Sequence, residues 1–122
     1  KIARIANDIP ALEVLDPKNA DTILVGWGGT YGHLRTAAGE LCADGKPVAF
    51  AHFNYINPLP ANTEEVLSNY KTVIVAELNT GMFADYLQAR FLGLNIKRIN
   101  KIQGQPFLVS EVVKGVTKIM ED

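Results

Sequence analysis

The chain reads as an α/β protein, a three-layer α/β/α sandwich around a mostly parallel sheet. Three short runs are almost wholly apolar: Thr22 to Trp27, Val48 to Phe53 and Val73 to Leu78. They do not alternate apolar with polar residues, which is how strands covered on both faces read. Helix-period stripes lie between them, so strand and helix alternate, and such alternation folds as parallel strands joined by right-handed crossovers.

Each element has its own signal. Ile96 to Ile102 forms a fourth strand, and its Lys97, Arg98, Asn100 and Lys101 place it nearer an edge. Thr30 stands as N-cap before Leu34, Ala37, Ala38, Leu41 and Cys42, one face of a helix closing near Gly45. Asn62 and Glu65 have capping-box spacing ahead of Val66, Leu67 and Tyr70. Met82, Phe83, Tyr86, Leu87 and Phe91 form the next stripe, ending near Gly93, and Ser110 caps a last helix striped by Val112, Val113, Val116, Ile119 and Met120. Residues 1 to 15 open with a helix that Pro10 interrupts. No linker or repeat divides the chain, so residues 1–122 are expected to form a single domain.

Composition narrows the function. Hydrophobic residues make up 48% and charged residues 20%, a globular balance. The net charge of −1 is spread without a basic stripe, which argues against a nucleic-acid partner. No apolar run approaches the roughly 20 residues that span a bilayer, and no membrane partner is expected. The one cysteine, Cys42, sits on an apolar stripe and reads as core. A lone thiol suits a reducing compartment, so the expected location is cytoplasmic. The chain starts at Lys1 with neither Met nor leader and looks excised from a longer protein.

The sharpest local feature is Gly26-Trp27-Gly28-Gly29-Thr30, leaving a strand and opening a helix. Such a turn can offer backbone N–H groups to a phosphate. The dinucleotide fingerprint requires a third glycine three positions after its second, and position 31 is tyrosine; the P-loop lysine is absent as well. Two readings stay open here: a tight strand-to-helix turn, or a phosphate site in a free-standing nucleotide- or phosphate-binding regulatory module.

The strand C-termini share one edge, where open parallel sheets bind ligands and partners. That edge collects Gly28, Thr30 and Tyr31, then Glu77 and Asn79, then Gln103, Gln105 and Phe107. Amides bind well but move no protons at neutral pH, so these eight residues read as a docking surface. Phe107 serves either as its apolar anchor or as core beneath the last helix. Glu77 is the best candidate for a functional carboxylate; its alternative role is to hold N–H groups at the start of the following helix. His52 reads as a core histidine and His33 as surface, and neither has metal-site spacing. No catalytic, cofactor-binding or metal-binding residue is expected.

Taken together, Val25 to Gly32, Tyr55 to Pro60, Ala76 to Gly81 and Ile99 to Phe107 resemble the C-terminal region of the alpha subunit of 2-oxoacid:ferredoxin oxidoreductases, nearest the 2-oxoglutarate type. Met82 departs from the Gln that often follows the Gly81 equivalent. The resemblance implies a transketolase C-terminal-like domain that supports assembly of a larger enzyme. That whole enzyme oxidatively decarboxylates a 2-oxoacid to an acyl-CoA and passes the electrons to ferredoxin. It implies that thiamine diphosphate, Mg and iron–sulfur clusters belong to the rest of the enzyme. The implied partners are that enzyme's other domains and subunits, with ferredoxin and CoA acting on the whole; the isolated domain is expected to be inactive.

Overall fold

In the computed structural model, residues 12–16, 19–27, 31–53, 60, 62–78, 82–101 and 109–121 are described. They form strands β1 (Val14–Leu15), β2 (Thr22–Trp27), β3 (Ala49–Phe53), β4 (Thr72–Leu78) and β5 (Ile96–Lys101). The helices are α1 (Tyr31–Ala43), α2 (Thr63–Leu67), α3 (Met82–Arg90) and α4 (Val109–Glu121). The sheet runs in the order β1-β3-β2-β4-β5. All neighbours are parallel except β1, which pairs antiparallel with β3 through Val14 opposite Ala51 and Leu15 opposite Phe50.

Strand periodicity divides the core in two. Ile23, Val25, Ala49, Ala51, Phe53, Val73 and Val75 face one way and meet Leu67, Phe83, Ala84 and Leu87 of α2 and α3. Leu24, Phe50, Ile74 and Ala76 face the other way and meet Leu34, Ala37, Leu41, Val112 and Val116 of α1 and α4. Every residue of Ile23–Val25 and Val73–Ala76 is fully buried, which is why those runs carry no polar alternation. The expected three-layer sandwich is therefore the fold observed. The polar strand β5 lies at the sheet edge, as its lysines and arginine imply, and Arg98 forms an ion pair with Asp85 of α3.

Local chemistry fixes the carboxyl end of α1. After Ala43 the Lys46 N–H donates to Leu41 O at 2.9 Å and the Gly45 N–H to Cys42 O at 3.1 Å. Gly45 has φ +81°, so this is the Schellman closure that needs a left-handed residue. Gly115 serves differently: a Cβ there would lie 2.8 Å from Ile99 Cδ1, so its bareness lets α4 settle onto β5.

Four expectations change. Val14 and Leu15 are a short edge strand, not the end of a helix; residues 1–11 lie outside the described residues. Asn62 makes no capping bond. Its side chain accepts from the Leu12 N–H at 2.8 Å and donates to Leu12 O at 3.1 Å, tying the segment before β1 to the start of α2. Because α4 already begins at Val109, Ser110 sits in its first turn rather than capping it. Cys42 is half-buried at the core margin, its thiol 3.4 Å from Val48 O.

Candidate functional site: the carboxyl edge of the sheet

β2 leaves the sheet toward α1 on one face, and the neighbouring β4 leaves toward α3 on the other. The crevice at such a reversal is where open α/β sheets bind ligands and partners. Its described walls are the ends of β2 and β4 and the first turn of α3.

Glu77 is the centre of this region. It is the next-to-last residue of β4, after the apolar run Val73–Ala76, on the α3 face, and only 2% of its surface is exposed. One carboxylate oxygen accepts the Phe83 N–H at 3.0 Å and the other the Ala84 N–H at 2.9 Å. These are first-turn donors with no partner inside their helix, and the negative charge meets the positive end of the α3 dipole. The Trp27 indole N–H reaches the first oxygen at a longer 3.4 Å. A buried carboxylate thus joins three polar donors from two elements, as a charge taken out of water requires.

An aromatic layer lies beside it. The Trp27 and Phe83 rings are 5.9 Å apart, and Phe53 meets Phe83 edge-on at 5.1 Å. Trp27 and Phe53 are also register partners across β2 and β3. The ends of β2, β3 and β4 and the start of α3 are consequently one rigid base beneath the edge. Nothing in the chain's order announces this layer. Its available signal is parity: Trp27 and Phe53 are the last residues of their buried strands and Glu77 the next-to-last of its own, all on the same face.

Among the expected docking residues, the structure brings Glu77 and the start of α1 at Tyr31 to the same edge. The carboxylate is wholly engaged with α3 and Trp27, which matches the structural role considered for it. Gly28, Thr30, Asn79, Gln103, Gln105 and Phe107 lie outside the described residues. β4 and β5 end side by side, Leu78 opposite Lys101, immediately before the segments that contain the last four. His33 is exposed on α1 and His52 half-buried on β3.

Among the described residues no three His, Cys, Asp or Glu side chains are grouped to hold a metal ion, and iron–sulfur ligation takes more cysteines than the one in this sequence. No described helix is long and apolar enough to cross a membrane.

No protein-family model matches the chain. It is 40% identical over 105 residues, 85% of its length, to the 2-oxoglutarate oxidoreductase subunit KorA of Mycobacterium tuberculosis. It is 30% identical over 109 residues, 86% of its length, to subunit alpha of 2-oxoacid:ferredoxin oxidoreductase 1 of Aeropyrum pernix. It spans about a sixth of these relatives, 16% and 17% of their lengths. Its fold superposes with a TM-score of 0.85 and 25% identity on the 2-oxoglutarate:ferredoxin oxidoreductase of Magnetococcus marinus, over 95% of this chain and 21% of that one. That structure holds 2-oxoglutarate, coenzyme A and succinyl-CoA. A split-gene transketolase shares the fold at TM-score 0.69 and 15% identity, over 89% of this chain and 41% of that one.

Proposed function

We propose that this chain, which belongs with the alpha subunits of the 2-oxoacid:ferredoxin oxidoreductases as the counterpart of one of their segments, is a non-catalytic assembly domain of a 2-oxoglutarate-type enzyme. The observation that carries the reading is the 40% identity to the mycobacterial 2-oxoglutarate oxidoreductase subunit along 85% of the chain. The site chemistry agrees with it: the one buried carboxylate holds helix N–H groups, and no base or nucleophile is paired with it among the described residues. In this reading the whole enzyme oxidises a 2-oxoacid to an acyl-CoA in the cytoplasm. Thiamine diphosphate, Mg and the clusters sit in other domains, and ferredoxin takes the electrons. This domain contributes the carboxyl edge as a docking surface, with Glu77 and the aromatic layer holding that edge in shape.

Ferredoxin reduction by the assembled enzyme, measured with 2-oxoglutarate, pyruvate and branched 2-oxoacids in the presence of CoA, tests the substrate. The expected order puts 2-oxoglutarate first; preference for another acid overturns that assignment. Turnover by the isolated chain would overturn the assembly role.

A further inference from the structure

Residues 12–16 form a strap along the outer side of β3, fastened at each end by a different device. β1 runs antiparallel to β3, so the strap enters at the carboxyl edge of the sheet with Leu12 and leaves at the amino-terminal edge with Asp16. At the leaving end Asp16 accepts the Tyr70 hydroxyl and the Ala20 N–H, both at 2.8 Å. At the entering end the Asn62 amide accepts the Leu12 N–H at 2.8 Å and donates to Leu12 O at 3.1 Å. Both backbone groups of one residue are thus held by one planar amide, as a neighbouring strand would hold them, which fixes the direction of the chain as well as its position. The base of this clamp is itself fixed: Asn62 O accepts the Val66 N–H at 3.0 Å, and the Thr63 N–H and hydroxyl reach Pro60 O at 3.1 and 2.7 Å. Asn62 stands where α2 would take an N-cap bond, and its amide goes to Leu12 instead. Holding β1 in the sheet does not require this, because β3 and the Asp16 contacts already do so further along the strap.

We propose, on the assembly reading above in which the catalytic domains precede this segment, that Asn62 is a positioning residue for the joint between them. Its grip on Leu12 sets the direction in which the chain arrives from those domains, at the same carboxyl edge that is proposed to dock. Domains joined by a loosely held linker move relative to one another by default. A directed entry removes part of that freedom and raises the effective concentration of the edge at its partner. The partner of the edge is then the preceding part of the same subunit, because docking onto a separate chain would gain nothing from a fixed entry.

Hydrogen exchange and limited proteolysis of Asn62→Ala and Asn62→Ser test the proposal. Serine is a good N-cap and so serves α2, yet it is too short to bond both the N–H and the O of Leu12. In the 122-residue chain the Leu12 amide should exchange at least about tenfold faster in both variants. The melting temperature should stay within a few degrees of the parent, because β3 and Asp16 still hold β1. In the full enzyme a protease should release this domain at least about tenfold faster from both variants, since cleavage follows the population of the undocked state. Parental exchange at Leu12 would overturn the proposal by showing that the clamp holds nothing. Faster exchange with parental release, release restored by Asn62→Ser, or a melting temperature that collapses in both variants would overturn it by reducing Asn62 to a structural contact. Turnover of a 2-oxoacid by the isolated chain would instead remove the assembly reading beneath the proposal, an outcome separate from either measurement.

Discussion

Glu77 and Tyr70 show how single polar groups are made tolerable in this core. Removing the Glu77 carboxylate in Glu77→Ala strands the Phe83 and Ala84 N–H groups in a dry site and takes the acceptor from the 3.4 Å Trp27 indole contact. The expected cost is about 2–4 kcal/mol, the scale of lost bonds to a charged acceptor. Urea unfolding reads it, and Trp27 is the sole tryptophan, so its emission should shift to the red as the layer loosens. Unchanged stability would show that the carboxylate holds nothing. Tyr70 donates its hydroxyl to Asp16 Oδ2 at 2.8 Å, while Asp16 Oδ1 accepts the Ala20 N–H. Burial, then the hydrogen bond to Asp16 and that carboxylate's charge, push the phenol up to about 12 from 10.0. The folded state therefore keeps a proton that the unfolded chain releases near pH 10. This stabilisation is complete below about pH 10 and is lost as the pH climbs toward 12. Tyr70→Phe should flatten the alkaline fall in stability, and a fall as steep as the parent's would remove Tyr70 from its cause.

Helices α1 and α4 carry glycines of opposite meaning. Gly39 on α1 meets nothing within 4 Å, so Gly39→Ala should stabilise the fold by about 0.5–1 kcal/mol through helix propensity. Gly115 on α4 presses on Ile99, so Gly115→Val should cost about 1–3 kcal/mol through overpacking. Thermal melts of the two variants that move in the same direction would contradict this packing of α4 on β5. The same element scale shows what the sequence can disclose. β2, β4 and α1 were legible because burial on both faces, or on one stripe, writes itself into neighbouring residues. β1 was not: a two-residue strand, paired with β3 and preceded by Leu12 that Asn62 holds from 50 positions away, leaves no local period. Asn62 misled for the same reason. Its spacing to Glu65 fits a capping box, yet a long-range partner at Leu12 takes both of its amide atoms. At the candidate site, Glu77 stood out as a charge ending an apolar run, whereas its three donors come from residues 50, 6 and 7 positions distant and could not be read from neighbours.

For the whole molecule, the sheet's two edges differ in kind. The carboxyl edge rests on a buried ionic and aromatic base, and the residues expected to dock there follow β4 and β5 in sequence. The proposed assembly role places oxidation of the 2-oxoacid in other domains of the enzyme. Calorimetry of the isolated chain is therefore expected to show no tight, Mg²⁺-dependent binding of thiamine diphosphate, and such binding would contradict the assignment of catalysis to other domains. The docking role needs the assembled enzyme. Asn79 follows β4 and Gln105 follows the adjacent β5, so substituting both removes amide contacts from one edge while leaving the buried base of Trp27, Phe53, Glu77 and Phe83 intact. Asn79→Ala with Gln105→Ala should leave the melting temperature of the isolated domain within a few degrees of the parent, as for surface changes of about 0.5 kcal/mol. In the full enzyme the same pair should lower the fraction assembled, and 2-oxoglutarate-dependent ferredoxin reduction should fall with it. Size-exclusion chromatography and turnover on one preparation distinguish the cases. Loss of turnover in a fully assembled enzyme would move these amides from docking to substrate chemistry, and parental assembly with parental turnover would show that the oxidoreductase is joined through another face of this domain.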